Sequence, residues 1–115
     1  PTDLARMYHY EKRVDRLLET LVGGTPQERP DQYKSASPVT YVVKDTCPIL
    51  SIHGTLDKLV PVDQAVEFDA AMKKAGATSE LIILEGEGHG FRGPANKKAF
   101  EATLAFFDKY LKPSK

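Results

Sequence analysis

Two loops of this sequence contain the side chains that could do acid–base chemistry. The first follows the apolar run 48–53 and contains Asp57; the second follows the apolar run 81–84 and contains His89, with a glycine on either side. A carboxylate that accepts a hydrogen bond from one imidazole nitrogen sets the tautomer and leaves the other nitrogen free as a base. Such a pair would form the acid–base half of a nucleophilic triad.

The spacing of Asp57 and His89 favours their meeting. They are 32 residues apart, about one β–α–β repeat, and catalytic groups collect at the carboxyl ends of parallel strands, which lie about 4.8 Å apart. Each residue alone has an ordinary alternative: Asp57 as a turn or capping aspartate, and His89 as a loop histidine bonded to backbone. We interpret the two together as a candidate catalytic pair. We expect His53, at a strand end, to be structural.

The hydrophobic periodicity predicts an α/β chain with the order α-α-β-α-β-α and two parallel strands. A first helix is predicted from Asp3 to the glycines 23–24, and a short second helix after the capping-box sequence 25–28. The two apolar runs are predicted as buried strands joined by a helix over 63–75, and a last helix is expected from about Asn96. The apolar face of that last helix consists of Ala99, Phe100, Thr103, Leu104, Phe107 and Leu111.

The length allows one domain, whose two parts differ in character. Residues 1–46 are predicted as a helical segment and linker, and residues 47–115 as a βαβα unit that contains both loops. The 115 residues are few for a catalytic α/β fold, because parallel sheets have helices on both faces and usually more than two strands. We therefore expect a single partial domain. Pro1 is not an initiator residue, so we expect truncation or processing at this end.

The composition argues against several classes of function. The 16 basic and 16 acidic residues give a formal net charge of +0, which disfavours binding to nucleic acid or to a membrane surface. No apolar run reaches the roughly 18 residues of a membrane span. One cysteine cannot form a disulfide framework or a Cys-rich zinc site. One cysteine and no visible signal peptide are compatible with a cytoplasmic location, but the sequence leaves the location open because the true N-terminus is not in view.

We expect no metal and no cofactor. Paired His or Cys residues at metal-ligand spacing are absent from the sequence, and so is a phosphate-binding P-loop. The sequence 88–93 formally matches the glycine pattern of dinucleotide sites. That pattern requires a further strand after the helix, with an acidic residue about 20 positions on. Here the sequence ends with the helix, and Pro94 interrupts the connection from the glycine loop into it.

Several motifs together resemble a known family. They are Pro48-Ile49-Leu50-Ser51-Ile52-His53-Gly54 with Asp57 and Val60-Pro61, then Gly86-Glu87-Gly88-His89-Gly90-Phe91, preceded by linker-like Gly23-Gly24-Thr25-Pro26, Tyr33 and Ala36-Ser37-Pro38. In this combination they look like the C-terminal part of an α/β-hydrolase. The resemblance is to carboxylesterase and feruloyl-esterase-like enzymes, and to the catalytic domain of prolyl-oligopeptidase-type serine peptidases.

By this resemblance, Asp57 matches the triad acid and His89 the triad base of a serine hydrolase that cleaves carboxylic esters. The family places its nucleophile earlier in the chain, in a Gly-x-Ser-x-Gly elbow. None of the serines here has glycine at both elbow positions; they are Ser35, Ser37, Ser51, Ser79 and Ser114. The resemblance therefore implies a small-molecule ester substrate for a longer parent enzyme and no activity for this chain alone.

Two alternatives stay open. The same motifs fit a fragment of a prolyl-oligopeptidase-type serine peptidase, because the residues that choose the substrate lie upstream of them. The second alternative is that the chain is a non-catalytic module that associates with itself. A first strand without its neighbours has an unpaired edge that recruits another chain, so we expect a homo-oligomer formed through that edge.

Overall fold

The computed structural model describes residues 1–112 as an α/β arrangement in which two strands pair in parallel. The predicted fold class is confirmed. The elements are α1 (Leu4–Met7), α2 (Lys12–Val22), α3 (Pro30–Ala36), a 3-10 helix (Pro38–Tyr41), β1 (Ile49–Gly54), α4 (Asp63–Lys74), β2 (Ser79–Leu84) and α5 (Gly93–Leu111). Within this range no helix has both the length and the apolar character needed to cross a membrane. The last three residues of the predicted 47–115 unit lie outside the described residues.

The helix α4 connects β1 to β2 in a parallel β–α–β crossover. The strands pair in register from Ile49 opposite Ser79 to Gly54 opposite Leu84, and α4 packs against both of them. The core between helix and sheet consists of Phe68, Met72 and Ala77, with the partly buried Val39, Val42 and Ile49 against it. Parallel pairing places the carboxyl ends of both strands at one edge of the sheet. The two loops of interest begin there.

The prediction of one continuous helix after Asp3 is wrong, because this segment forms two helices, α1 and α2. The Glu11 carboxylate accepts hydrogen bonds from two backbone N–H groups at the start of α2, at 2.9 and 3.2 Å. Glu11 thus caps a new helix inside the predicted one. In the connection, His9 has a left-handed φ of 74°, and its N–H donates to the Asp15 carboxylate at 2.8 Å. The break leaves Tyr10 free to reach the loop that contains Asp57.

The second helix begins later than the capping box predicts. The box itself forms: Thr25 N–H donates to Glu28 Oε2 at 2.8 Å, and Glu28 N–H donates to Thr25 Oγ1 at 3.3 Å. It encloses only a turn, because Pro30 has no N–H to donate to the preceding turn and its ring would clash with that turn's carbonyl. Proline fits the first position of a helix, and α3 begins there.

The N-terminal segment is attached to α4 by the buried Gln64 side chain. Gln64 Oε1 accepts hydrogen bonds from the backbone N–H groups of Thr2 and Asp3, both at 2.8 Å, and its Nε2 donates to Asp3 O at 3.0 Å. Two leucines of α2, Leu17 and Leu21, are 68% and 72% exposed. The small core of this segment consists of Leu4, Met7, Val14, Leu18 and Tyr33. The boundary between residues 1–46 and 47–115 stays a prediction.

The last helix exposes most of its predicted apolar face. α5 begins at Gly93 rather than Asn96, with Pro94 in its first turn. Of the predicted face Ala99 is buried, whereas the exposed large side chains are Phe100, Leu104, Phe107 and Leu111. Phe106, seven residues after Ala99 and on the same side of the helix as Ala99, is buried as well. In the described part of the chain the sheet has two strands, which is too narrow to cover the whole helix.

Candidate active site

The loop after β1 holds the Asp57 carboxylate in a buried position. Its Oδ1 atom accepts hydrogen bonds from the backbone N–H groups of Leu59 and Val60, both at 2.9 Å. An aspartate that bonds to the backbone two and three residues on closes its own turn. This is the turn geometry that the sequence left open as the ordinary alternative for Asp57. It coexists with the contact to His89, because the two contacts use different carboxylate oxygens.

The loop after β2 places the imidazole of His89 against the second oxygen of Asp57. The distance from His89 Nδ1 to Asp57 Oδ2 is 2.8 Å. An ionised carboxylate only accepts hydrogen bonds, so Nδ1 is the protonated nitrogen and donates. The His89 side chain is 57% exposed and that of Asp57 only 5%. The structure therefore brings both predicted site residues together, with the imidazole facing outward.

The two loops approach each other at Gly54. A Cβ atom at this position would lie 2.2 Å from the carbonyl oxygen of Glu87, so glycine is the residue that fits. On either side of the contact, Thr55 N–H donates to Leu84 O at 3.1 Å, and Leu56 N–H donates to Glu87 O at 2.8 Å. Backbone hydrogen bonds thus continue from the strands into the loops. They set the distance between Asp57 and His89.

Two further side chains contact the Asp57 loop. His53 Nε2 lies 2.9 Å from Val60 O and 3.3 Å from Asp57 Oδ2, which gives this histidine a place in the site beyond the structural role that the sequence suggested. The Tyr10 hydroxyl donates to the backbone carbonyl of Asp57 at 2.8 Å. Sequence reasoning missed Tyr10, since 47 residues separate it from Asp57 and no motif links them. The contact of His53 with this loop could have been suspected from its position at the end of β1, directly before Gly54.

The environment of Asp57 keeps its carboxyl group ionised. Burial alone would raise the pKa of Asp57, but the backbone N–H of Val60, the side chain of His89 and the backbone N–H of Leu59 all donate hydrogen bonds to it. Together they outweigh the burial, so the pKa of Asp57 lies below its ordinary value. A carboxylate that stays ionised at neutral pH can hold His89 with its proton on Nδ1.

Two clefts open beside this pair. One, of about 230 Å³, is lined by His53, Asp57, His89 and Phe91 among others. The second, of about 310 Å³, is almost wholly apolar and extends from His89 along α2. Its apolar walls include Val14, Leu17, Leu18, Leu59 and Val60. The exposed side of His89 therefore faces space that a small molecule could occupy.

Comparison with known proteins identifies the family. The sequence model of the prolyl oligopeptidase family matches residues 2–114. The chain belongs to the prolyl oligopeptidase family. Solved structures agree with the fold that the resemblance implied: Thermogutta terrifontis esterase 2, phosphonylated by sarin, superposes with a TM-score of 0.72 and 31% identity over 90% of this chain. The chain therefore has the fold of an α/β-hydrolase, in agreement with the sequence motifs.

The relatives include both esterases and a peptidase. The chain is 38% identical to the esterase LipC of Mycobacterium tuberculosis over 68% of its own length, and 33% identical to the peptidase YtmA of Bacillus subtilis over 77%. It spans 20% of LipC, 35% of YtmA and 38% of the Thermogutta esterase chain. These relatives are therefore about two to four times as long as this chain.

The close approach at Gly54 predicts the effect of a single methyl group. Gly54→Ala should lower the free energy of unfolding by roughly 1–3 kcal/mol, because the added Cβ forces the Glu87 carbonyl away. Urea denaturation measures this change. Gly90→Ala is the matched control, since a Cβ at Gly90 meets nothing within 4 Å. Equal stability of the two variants would contradict the close approach.

The pKa of Asp57 predicts a pH dependence of stability. Because the pKa is depressed in the folded protein, ionised Asp57 stabilises the fold fully above the ordinary value of 3.8. That stabilisation is lost as the pH falls through the lower folded-state pKa. The difference in free energy of unfolding between the wild type and Asp57→Asn should therefore be constant from about pH 7 to pH 5 and shrink below about pH 4.

Denaturation curves across this range measure the difference. The control is Asp45→Asn, which removes an exposed carboxylate that forms no ion pair within residues 1–112. A wild-type advantage over Asp57→Asn that grows as the pH falls would show that the pKa is shifted in the opposite direction.

Proposed function

We propose that this chain supplies the acid and the base of a serine hydrolase that cleaves carboxylic esters. The observation that carries the proposal is the hydrogen bond of 2.8 Å between His89 Nδ1 and Asp57 Oδ2. It joins a buried, ionised carboxylate to the imidazole of a side chain that is 57% exposed. This is the arrangement that a general base requires, because the tautomer is set and Nε2 is free to accept a proton.

In the proposed mechanism, His89 Nε2 removes the proton of a serine hydroxyl as its oxygen attacks the ester carbonyl. The same nitrogen then donates that proton to the alcohol as the acyl–oxygen bond breaks. Water next attacks the acyl-serine, with His89 taking its proton and returning it to the serine oxygen. Asp57 stays ionised throughout and stabilises the positive charge that His89 carries between these transfers.

The nucleophilic serine in this proposal comes from a part of the parent protein outside these 115 residues. None of the serines here stands in the Gly-x-Ser-x-Gly elbow, and Ser51 and Ser79 lie in the strands rather than at their carboxyl ends. Without a nucleophile no acyl-enzyme forms. We therefore propose that the isolated chain does not hydrolyse esters.

The choice of an ester substrate rests on the relatives. LipC and the Thermogutta protein are both esterases by name, with 38% and 31% identity to this chain. The apolar cleft that opens beside His89 suits the hydrocarbon part of an ester, because burial of apolar surface favours its binding. The proposed substrate class is therefore a small carboxylic ester with an apolar acyl or alcohol group.

A peptide substrate is the second candidate function. It is favoured by the match to the prolyl oligopeptidase family over residues 2–114 and by the similarity to the peptidase YtmA. The acid–base chemistry of Asp57 and His89 would be the same, with an amine as the leaving group in place of the alcohol. Substrate profiling of the full-length protein separates the two candidates.

Substitutions of the pair in the full-length protein test the proposed function. His89→Ala should lower kcat for a nitrophenyl ester by about 10⁴-fold or more, because the base is lost. Asp57→Asn should lower it by about 10⁴-fold, because the imidazole is no longer held in the right tautomer. His9→Ala is the matched control, since the His9 side chain is 76% exposed and lies outside the site.

The same assay on the isolated 115-residue chain should give the background rate. A robust rate that His89→Ala abolishes would contradict the proposal that the chain needs an external nucleophile. A full-length protein in which His89→Ala keeps wild-type activity would contradict the role of the pair. Faster cleavage of peptide than of ester substrates would select the peptidase candidate.

Self-association of the isolated chain is a separate proposal, which the exposed apolar surface supports. Phe100, Leu104, Phe107 and Leu111 form one stripe along α5 and are 49% to 72% exposed. Within the described residues, β1 pairs with β2 alone, so its other edge has main-chain groups without a strand partner. Both features favour association. We propose that a second copy of the chain covers this surface when the chain folds alone.

Light scattering at micromolar concentration tests the association. The isolated chain should have the mass of a dimer, and Leu104→Lys should shift it toward the monomer by placing a charge on the apolar stripe. Ala105→Lys adds the same charge to an exposed position of α5 outside the stripe and should leave the dimer intact. A stable wild-type monomer would overturn the proposal.

A further inference from the structure

We propose that His53 is a positioning residue that holds the Asp57 carboxylate in the orientation that His89 requires. This inference rests on the proposed roles of Asp57 and His89. It starts from the position of His53 Nε2, which lies 2.9 Å from Val60 O and 3.3 Å from Asp57 Oδ2. The His53 side chain is 15% exposed, so it acts from inside the protein rather than from the cleft.

The partners of His53 determine which of its nitrogens is protonated. The carbonyl oxygen of Val60 can only accept a hydrogen bond, so His53 Nε2 carries a proton and donates it. The same N–H group faces Asp57 Oδ2 at the longer distance. The Nε2–H group of His53 therefore directs the positive end of its dipole toward both oxygens.

The Asp57 carboxylate is thus surrounded by four N–H groups. The backbone of Leu59 and Val60 donates to Oδ1, and the rings of His89 and His53 approach Oδ2 at 2.8 and 3.3 Å. Oδ2 lies between an inner ring that is almost buried and an outer ring that is exposed. Because the two backbone bonds and the inner ring constrain the carboxylate plane, its remaining acceptor direction is available to His89.

His53 also connects the two ends of the Asp57 loop. It is the penultimate residue of β1, paired opposite Ile83 of β2, and its bond to Val60 O joins the strand to the far side of the turn. The turn that supplies the N–H groups of Leu59 and Val60 is therefore tied to the sheet. Loss of this bond would let the turn and the carboxylate move together relative to His89.

A purely structural histidine would satisfy the Val60 carbonyl and affect nothing else. What distinguishes the positioning role is its effect on His89: without His53, the outer imidazole should no longer be held with its proton on Nδ1. Among residues 1–112, the basic side chains within 4 Å of the Asp57 carboxylate are His53 and His89. The tautomer of His89 therefore reports on this contact directly.

The test compares His53→Gln, which keeps an N–H donor at the end of the side chain, with His53→Leu, which removes it. NMR of the imidazole nitrogens in the intact protein measures the tautomer of His89 without any substrate. The fraction of His89 protonated on Nδ1 should fall by roughly twofold or more in His53→Leu and be restored in His53→Gln. His9→Gln changes a side chain that is 76% exposed and faces Asp15, so it should leave the fraction unchanged.

Activity of the full-length protein gives a second measurement. His53→Leu should lower kcat by about 10²-fold with little change in KM, because misplacement of the base affects the chemical step rather than substrate binding. His53→Gln should recover most of that loss. A loss of stability in His53→Leu with an unchanged His89 tautomer and unchanged kcat would overturn the positioning role.

If His53→Leu fails to fold, NMR of the imidazole nitrogens in the wild-type protein tests the proposal instead. The proposal requires a proton on His53 Nε2, and a spectrum showing Nε2 unprotonated would overturn it. These results are independent of the proposed hydrolysis. An inactive wild type with the expected tautomers would contradict the function alone, whereas an active enzyme whose His89 tautomer is indifferent to His53 would contradict this inference alone.

Discussion

The parallel pairing of β1 with β2, continued into the loops past Gly54, is the constraint on which the candidate site depends. The backbone at Gly54 lies so close to Glu87 that no side chain fits between them. Hydrogen bonds from Thr55 to Leu84 and from Leu56 to Glu87 extend the pairing beyond the strands. Neither loop can shift without breaking these contacts. The short distance between Asp57 and His89 therefore follows from strand register rather than from a property of either loop alone.

Two opposing physical effects act on the pKa of the Asp57 carboxyl group. Burial disfavours its charge, because water no longer solvates it, whereas hydrogen bonds from Val60, His89 and Leu59 favour the charge. The hydrogen bonds prevail, and the pKa lies below its ordinary value. The same contacts that keep the group ionised also orient it. Electrostatics and geometry at this site are thus consequences of one set of N–H groups.

The exposed apolar surface has a geometric origin. The helix α5 has 19 residues and is about 28 Å long, whereas two paired strands form a sheet only about 10 Å wide. The described strands therefore bury Ala99 and Phe106 but leave Phe100, Leu104 and Phe107 exposed. The chain spans 20% of LipC and 35% of YtmA.

The sequence by itself determined the α/β order, the parallel β–α–β unit and the choice of Asp57 and His89 as candidate residues. These follow from local patterns: apolar runs bounded by proline and glycine, helical periodicity, and polar residues directly after the strands. It also placed His53 at the strand end. The catalytic roles of the pair stay a proposal, as do the substrate and the oligomeric state.

Only the tertiary structure decided where helices break and which side chains meet. The division at His9 depends on Glu11 and Asp15 bonding to the backbone, and the late start of α3 at Pro30 on a competition between a capping box and a proline. The contacts of Tyr10 and His53 with the Asp57 loop are equally invisible in the sequence, since no periodicity records a hydrogen bond between distant segments. The physical reason is that local patterns indicate the secondary structure that each segment favours by itself. Packing decides where these elements end and which side chains come into contact.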